Sequence, residues 1–251
     1  ASSAGNHGLG LAYSSAQLGT PATVVLPESA APKRAELIRR FGATVIQHGP
    51  SWSEANRKAL EIAKERDLAF ISPFDDPAII AGQGTIALEL LEQVPDLDVI
   101  VCSVGGGGLI SGVASAIKAL RPQTRVIGVE TLGSDSVARS LKTGRIVERE
   151  EFTSIATSLA TRSTAPLPFS IIRDAVERVE IVSDEEAMVD LLQLLDEEKL
   201  LTEPAASCTL SVLRSGKVPD LRGAKEHGGA NVILDQVLQW RESLLSSGVK
   251  A

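Results

Sequence analysis

The stretch DVIVCSVGGGGLISG, Asp98 to Gly112, decides how this chain is built. Its first half is an unbroken apolar and β-branched run, the pattern of a strand buried on both faces. Four glycines follow at once, and from Leu109 a helical pattern runs to Leu120. Four consecutive glycines cost much backbone entropy, which is warranted where the chain must pass close to something and point its N–H groups at it. A helix N-terminus supplies such groups together with the positive end of the helix dipole, so a phosphate suits this turn. The alternative is a tight strand-to-helix turn with glycine chosen for packing; one glycine suits that, four fit it poorly. The run matches neither a GxxxxGK[ST] loop nor a GxGxxG dinucleotide fingerprint.

Outward from that stretch the same alternation repeats. Short apolar runs at 22–27, 43–48, 125–130 and 178–183 read as further strands. Between them, helical patterns cover Pro32 to Phe41, Ser53 to Arg66, Ala78 to Gln93 and Asp184 to Leu195, and another helix starts near Pro204. Buried strands joined by helices predict an α/β protein with parallel sheets covered by helices. The turn-rich SPFDDPA at 72–78 divides it into two lobes, 1–77 and 78–251. After the helix near Pro204, VLRSGKVPDLRGAKEHGGAN is polar where a further buried strand is expected, and no strand is predicted there.

At 251 residues and 43% hydrophobic content the chain can bury a sizeable core. With 25 Lys and Arg against 32 Asp and Glu it carries a net charge of −7 and no basic run, which argues against nucleic acid. No apolar stretch reaches the ~18 residues of a bilayer span, and the N-terminus has no signal-peptide pattern, so no membrane partner and a cytoplasmic location are expected. Cys102 in a strand pattern and Cys208 in a small-residue helix read as reduced core residues.

A second glycine-rich loop, SSAGNHG at 2–8, also feeds a helix, and its amides can hold a smaller anion such as a carboxylate. Asn6 adds an amide donor. The plainer reading is a helix start capped by Ser2 or Ser3, with His7 at the surface. With three histidines in the chain, no Ser-His-Asp or zinc constellation can be assembled convincingly.

Taken in order, SSAGNHG, ISPFDDPAIIAGQGTIALEL, SVGGGGLISG, VETLGSDS and EKLLTEPAAS resemble the serine/threonine dehydratase (ammonia-lyase) family, pyridoxal-phosphate enzymes of the tryptophan-synthase-β fold type. The resemblance covers nearly all of positions 1–213. It implies pyridoxal 5′-phosphate as cofactor, with its phosphate on Gly105, Gly106, Gly107 and Gly108 and on Leu109 next in line. Ser3, Ala4, Gly5, Asn6 and His7 match the loop that takes the substrate carboxylate, Asn6 also reaching the cofactor. Glu130, Ser134 and Ser136 match a site for a monovalent cation or Mg, and Glu203 a glutamate near the cofactor ring. Plainer roles stay open, namely Glu130 capping the Gly133 turn and Glu203 as a solvated charge at a helix start. The implied reaction is α,β-elimination of water from L-serine or L-threonine, giving a 2-keto acid and ammonia, by a homodimer. Racemase relatives carry a serine at the position of Ala4, which favours elimination. A non-catalytic cofactor- or amino-acid-binding paralogue, a serine racemase-like enzyme and a hydroxyaspartate lyase are the alternatives.

Two departures from the family pattern set further expectations. Members carry a lysine that binds the cofactor, in an SFKxRG-like context ahead of the SxGN loop, and none of the nine lysines here, 33, 58, 64, 118, 142, 199, 217, 225 and 250, stands in such a context. No catalytic lysine is therefore assigned, and the chain is expected to begin after that segment and to be impaired on its own. The group facing the pyridine nitrogen falls on His227 in one alignment of EHGGAN and on Gly228 in another.

Overall fold

The computed structural model describes residues 1–218 and the strand Lys225–His227. The chain divides into two compact units, Ala1–Asp76 and Pro77–Ala251. In the smaller unit, helix α1 (Asn6–Leu18) precedes strand β1 (Thr23–Leu26), helix α2 (Pro32–Arg40), strand β2 (Thr44–Gln47) and helix α3 (Trp52–Glu65). β1 and β2 pair in parallel, Thr23 opposite Thr44 through Leu26 opposite Gln47. Side chains alternate along a strand. Val24 and Leu26 accordingly meet Ala12, Ala35 and Ile38 of α1 and α2, while Val25 meets Ala55, Ala59 and Ile62 of α3 on the other face.

The larger unit runs α4 (Pro77–Gln93), β3 (Val99–Ser103), α5 (Gly108–Leu120), β4 (Arg125–Thr131), α6 (Ser136–Thr143), α7 (Pro166–Ala175), β5 (Arg178–Val182), α8 (Asp184–Gln193), α9 (Pro204–Arg214) and β6 (Lys225–His227). Its sheet has the order β5-β4-β3-β6, parallel throughout. All five residues of β3 are buried. Ile100 and Cys102 pack towards Ile110, Val113 and Ile117 of α5, and Val99 and Val101 towards Ala205, Cys208 and Val212 of α9. The predicted α/β class with helices on both sheet faces is thus present. The two cysteines lie in cores on opposite sides of the sheet, and burial pushes the Cys102 thiol up to about 12.

The structure amends several local expectations. Lys225–His227 forms a strand after all, pairing with Ile100–Cys102 of β3, because ladder hydrogen bonds come from the backbone and need no apolar side chains. α8 ends at Gln193 and passes into a single π-helical turn, Leu194–Glu198. α6 and α7 lie where no helix was predicted. At the N-terminus, Ser2 makes a parallel bridge to Val25.

α4 and α5 cross with their backbones in contact. A Cβ on Gly112 would sit 2.2 Å from the Ile80 carbonyl oxygen and 2.6 Å from the Gly84 nitrogen, and one on Gly84 3.1 Å from the Gly112 carbonyl oxygen. Alanine in place of a mid-helix glycine gains about 1 kcal/mol of propensity. Overpacking against backbone costs about 3 kcal/mol, and the clash wins. Gly112→Ala is expected to lower stability by about 2 kcal/mol, read as a drop in the urea midpoint; an unchanged or raised midpoint would show that the helices separate freely.

Candidate functional site

The turn between β3 and α5 leaves its backbone amides turned towards one place. Gly107 is the N-cap of α5, with φ of 96° and no side-chain cap. A Cβ there would lie 2.8 Å from Ile172 Cδ1 and 3.0 Å from Pro168 Cβ, so both its backbone sign and its surroundings demand glycine. A Cβ on Gly105 would lie 3.0 Å from Leu159 Cα. The first hydrogen bond of the helix runs from Ser111 N–H to the Gly107 carbonyl at 3.0 Å. The N–H groups from Gly105 to Ile110 consequently find no acceptor among the described residues, although Gly106, Gly107 and Gly108 are buried. Buried donors without acceptors are costly, and a phosphate at this position would satisfy several at once. Thr164, absent from the sequence-level site, donates its hydroxyl to the Gly106 carbonyl at 3.0 Å and so takes care of the acceptor side of the turn. Its signal, the Ser-Thr-Ala-Pro start of an unpredicted helix, sits 58 residues from its partner.

Glu130, near the end of β4, is fully buried. Its carboxylate accepts the Val137 N–H at 2.9 Å and the Ala138 N–H at 2.7 Å, so it caps the N-terminus of α6 from outside the helix rather than the Gly133 turn. Desolvation pushes this carboxyl up to about 8, the neighbouring Asp135 adds to the rise, and the two amides oppose it. Ser134 donates to the Leu159 carbonyl at 2.9 Å, and the buried Ser136 hydroxyl has no partner among the described residues. Asp135, next to both, is held by Arg139 at 2.8 Å and by Arg149. Among the described residues no group of three or more His, Cys, Asp or Glu side chains stands together as a metal site.

Glu203 is the N-cap residue of α9, 4% exposed, and Ser158 donates to its Oε2 at 2.5 Å. It is therefore not a solvated charge. The sequence-level candidate His227 has a described backbone, but its side chain lies outside the described residues, as does Gly228.

In the smaller unit, the cap of α1 is Gly5 with extended backbone and no side-chain cap, while Ser3 Oγ accepts the Gly5 N–H at 3.1 Å. Neither Ser2 nor Ser3 caps the helix. His7 is turned away from the surface: Nε2 lies 3.2 Å from the Ile71 carbonyl, and burial holds the imidazole below its usual range. Ala4 packs against the core and its carbonyl accepts from Arg34 at 3.4 Å. Gly8 permits the close fold-back of the loop, since a Cβ there would lie 2.2 Å from the Ser3 carbonyl oxygen. Among the described lysines, Lys33 and Lys58 pair with glutamates on their own helices, and Lys118 and Lys217 reach the carbonyls of Asp174 and Ile181.

A parallel α/β unit whose buried strand ends in a glycine turn at a helix N-terminus has the geometry that suits an anionic group. The chain belongs to the pyridoxal-phosphate dependent enzymes, whose family profile matches residues 1–234. It is 42% identical over 221 residues, 88% of this chain, to an L-threonine ammonia-lyase of Geobacter sulfurreducens, and spans 55% of that protein's length. Its fold resembles the processed form of threonine deaminase isoform 2 from Solanum lycopersicum, with a TM-score of 0.90 and 29% identity over 96% of this chain and 71% of the other. Maize serine racemase gives a TM-score of 0.88 and 31% identity over 98% of this chain and 77% of the other.

Two outcomes follow from the geometry. Gly107→Ala forces a side chain into positive φ, which costs about 1–3 kcal/mol, and is expected to weaken pyridoxal phosphate binding about tenfold or more in a fluorescence titration; unaltered affinity would show that the turn does not hold the phosphate. For Glu130, the unfolded chain releases the proton near 4.5 and the folded one near 8. Between those values the folded state holds the extra proton, so stability declines as pH rises through this window and levels off above it. Urea midpoints at pH 5, 6.5 and 8 should decline more in the native chain than in Glu130→Gln; parallel curves would mean that Glu130 is ionised throughout.

Proposed function

We propose that this chain carries the cofactor-binding and substrate-binding residues of a pyridoxal-phosphate-dependent L-serine/L-threonine ammonia-lyase, which eliminates water from the β-hydroxy amino acid and yields a 2-keto acid and ammonia. The observation that carries the reading is the buried start of α5 with its unsatisfied N–H groups, in a chain of this family. Bound pyridoxal phosphate supplies an electron sink that makes the α-proton of an amino acid acidic. The residues Gly105 to Leu109 hold its phosphate on backbone amides. Glu203 stands with the cofactor ring, its carboxylate kept in place by Ser158. Glu130, Ser134 and Ser136 take a monovalent cation or Mg, which would also keep Glu130 ionised. His227 is retained as a candidate for the ring nitrogen.

The smaller unit contributes the substrate loop. The uncapped start of α1 presents backbone donors for a carboxylate, Ser3 orders the loop through Gly5, and Asn6 and His7 complete it, His7 by anchoring it to Ile71. Ala4 offers no group that can carry a proton, which supports elimination over the inversion suggested by the racemase named among the similar structures. Assembly as a homodimer in the cytoplasm completes the reading. A pyridoxal-phosphate- or amino-acid-binding protein without turnover is the second reading.

Absorption spectra of the chain with pyridoxal phosphate, before and after borohydride, followed by peptide mass spectrometry and a 2-keto acid assay on L-serine and L-threonine separately, test both. Retained cofactor without a lysine adduct is expected. An adduct on one lysine would overturn the statement that no catalytic lysine is present, and failure to retain the cofactor would overturn the phosphate assignment. Cofactor retained with no keto acid from either substrate would favour the second reading.

A further inference from the structure

A short 3-10 turn, Thr157–Leu159, touches three parts of the candidate site that are far apart in sequence. Leu159 packs against the glycine loop so closely that a Cβ on Gly105 would lie 3.0 Å from its Cα, and its carbonyl accepts the Ser134 hydroxyl at 2.9 Å. One residue earlier, Ser158 donates to Glu203 Oε2 at 2.5 Å, a short charge-assisted bond across 45 positions. The turn itself is firmly tethered. Asp184 accepts from the Ser154 hydroxyl at 2.5 Å and from the Ile155 N–H at 3.0 Å, Ser154 lies 2.8 Å from Thr131 Oγ1, and Ala156 and Leu159 are buried in the core below the sheet. A serine on such a support contributes direction as well as a hydrogen bond, since its own freedom is already restricted.

We infer that Ser158 is a positioning residue: it acts through Glu203, holding that carboxylate in the one orientation in which it meets the cofactor, while the same turn ties the glycine loop and the Ser134 loop to a common base. This rests on the reading of Glu203 given above. Ser158 is exposed, so its replacement opens no cavity in the core, and the loss of its bond to the buried Glu203 carboxylate is expected to lower the thermal midpoint only slightly.

The test is a double-mutant cycle in the full chain, read with pyridoxine 5′-phosphate, a fluorescent analogue that needs no lysine. Ser158→Ala is expected to weaken binding of the analogue about fivefold and to shift its emission, Ser158→Thr to restore both, and Ser158→Ala to have no further effect in a Glu203→Gln background. Equal losses in both backgrounds, or native affinity in Ser158→Ala, would overturn the positioning role while leaving Glu203 in place. Native affinity and emission in Glu203→Gln would instead remove Glu203 from the cofactor site, and Ser158 with it.

Discussion

Helix α5 begins inside the protein. Strand β3 is buried over its whole length, and the chain leaves it through glycines that are themselves buried, so the first amides of α5 emerge where water cannot reach them easily. An N-terminus in that position is tolerable only if something accepts its hydrogen bonds. Much of the larger unit is arranged to keep the turn in this state. Ile172 and Pro168 of α7 close around Gly107, Leu159 closes on Gly105, and the backbone contact at Gly84 and Gly112 holds α5 against α4. A single added methyl at these glycines meets backbone or core atoms, which leaves the amides as the only groups the turn can offer.

The same economy governs the charged groups. Glu130 and Asp135 are both buried carboxylates a few residues apart, and each is compensated differently. Glu130 takes two backbone amides of α6, whereas Asp135 takes two guanidinium groups. Burial is what pushes Glu130 towards neutrality, and the two amides oppose that rise without cancelling it. Glu203 has the Ser158 hydroxyl. Glu130 of β4 is thus met by α6, Asp135 by Arg139 of α6 and by Arg149, and Glu203 by Ser158.

Much of the architecture was readable before any coordinates. The five principal strands and helices α2 to α5 and α8 follow from apolar runs and helical periodicity, since local burial patterns impose a repeat of two or of 3.6 on the sequence; α6 and α7 do not. The glycine loop was readable for a related reason: consecutive glycines are a local signal of close backbone approach. β6 was not, because a polar edge segment can join a ladder without any apolar repeat. Helix α7 begins on Pro166 and carries Ile172, but its role in closing the glycine turn has no local signature.

For this chain the sequence by itself determined the class of fold, the glycine turn that opens α5 and the family to which the set of motifs belongs. Only the tertiary structure decided that Gly5 rather than a serine caps α1, that His7 points to Ile71, that Glu130 caps α6, and that Ser158 meets Glu203. Periodicity and glycine content are properties of neighbouring residues, fixed by backbone geometry within a turn or two. A hydrogen-bond partner 45 or 64 positions away is chosen by how the elements pack, and no local pattern encodes that choice.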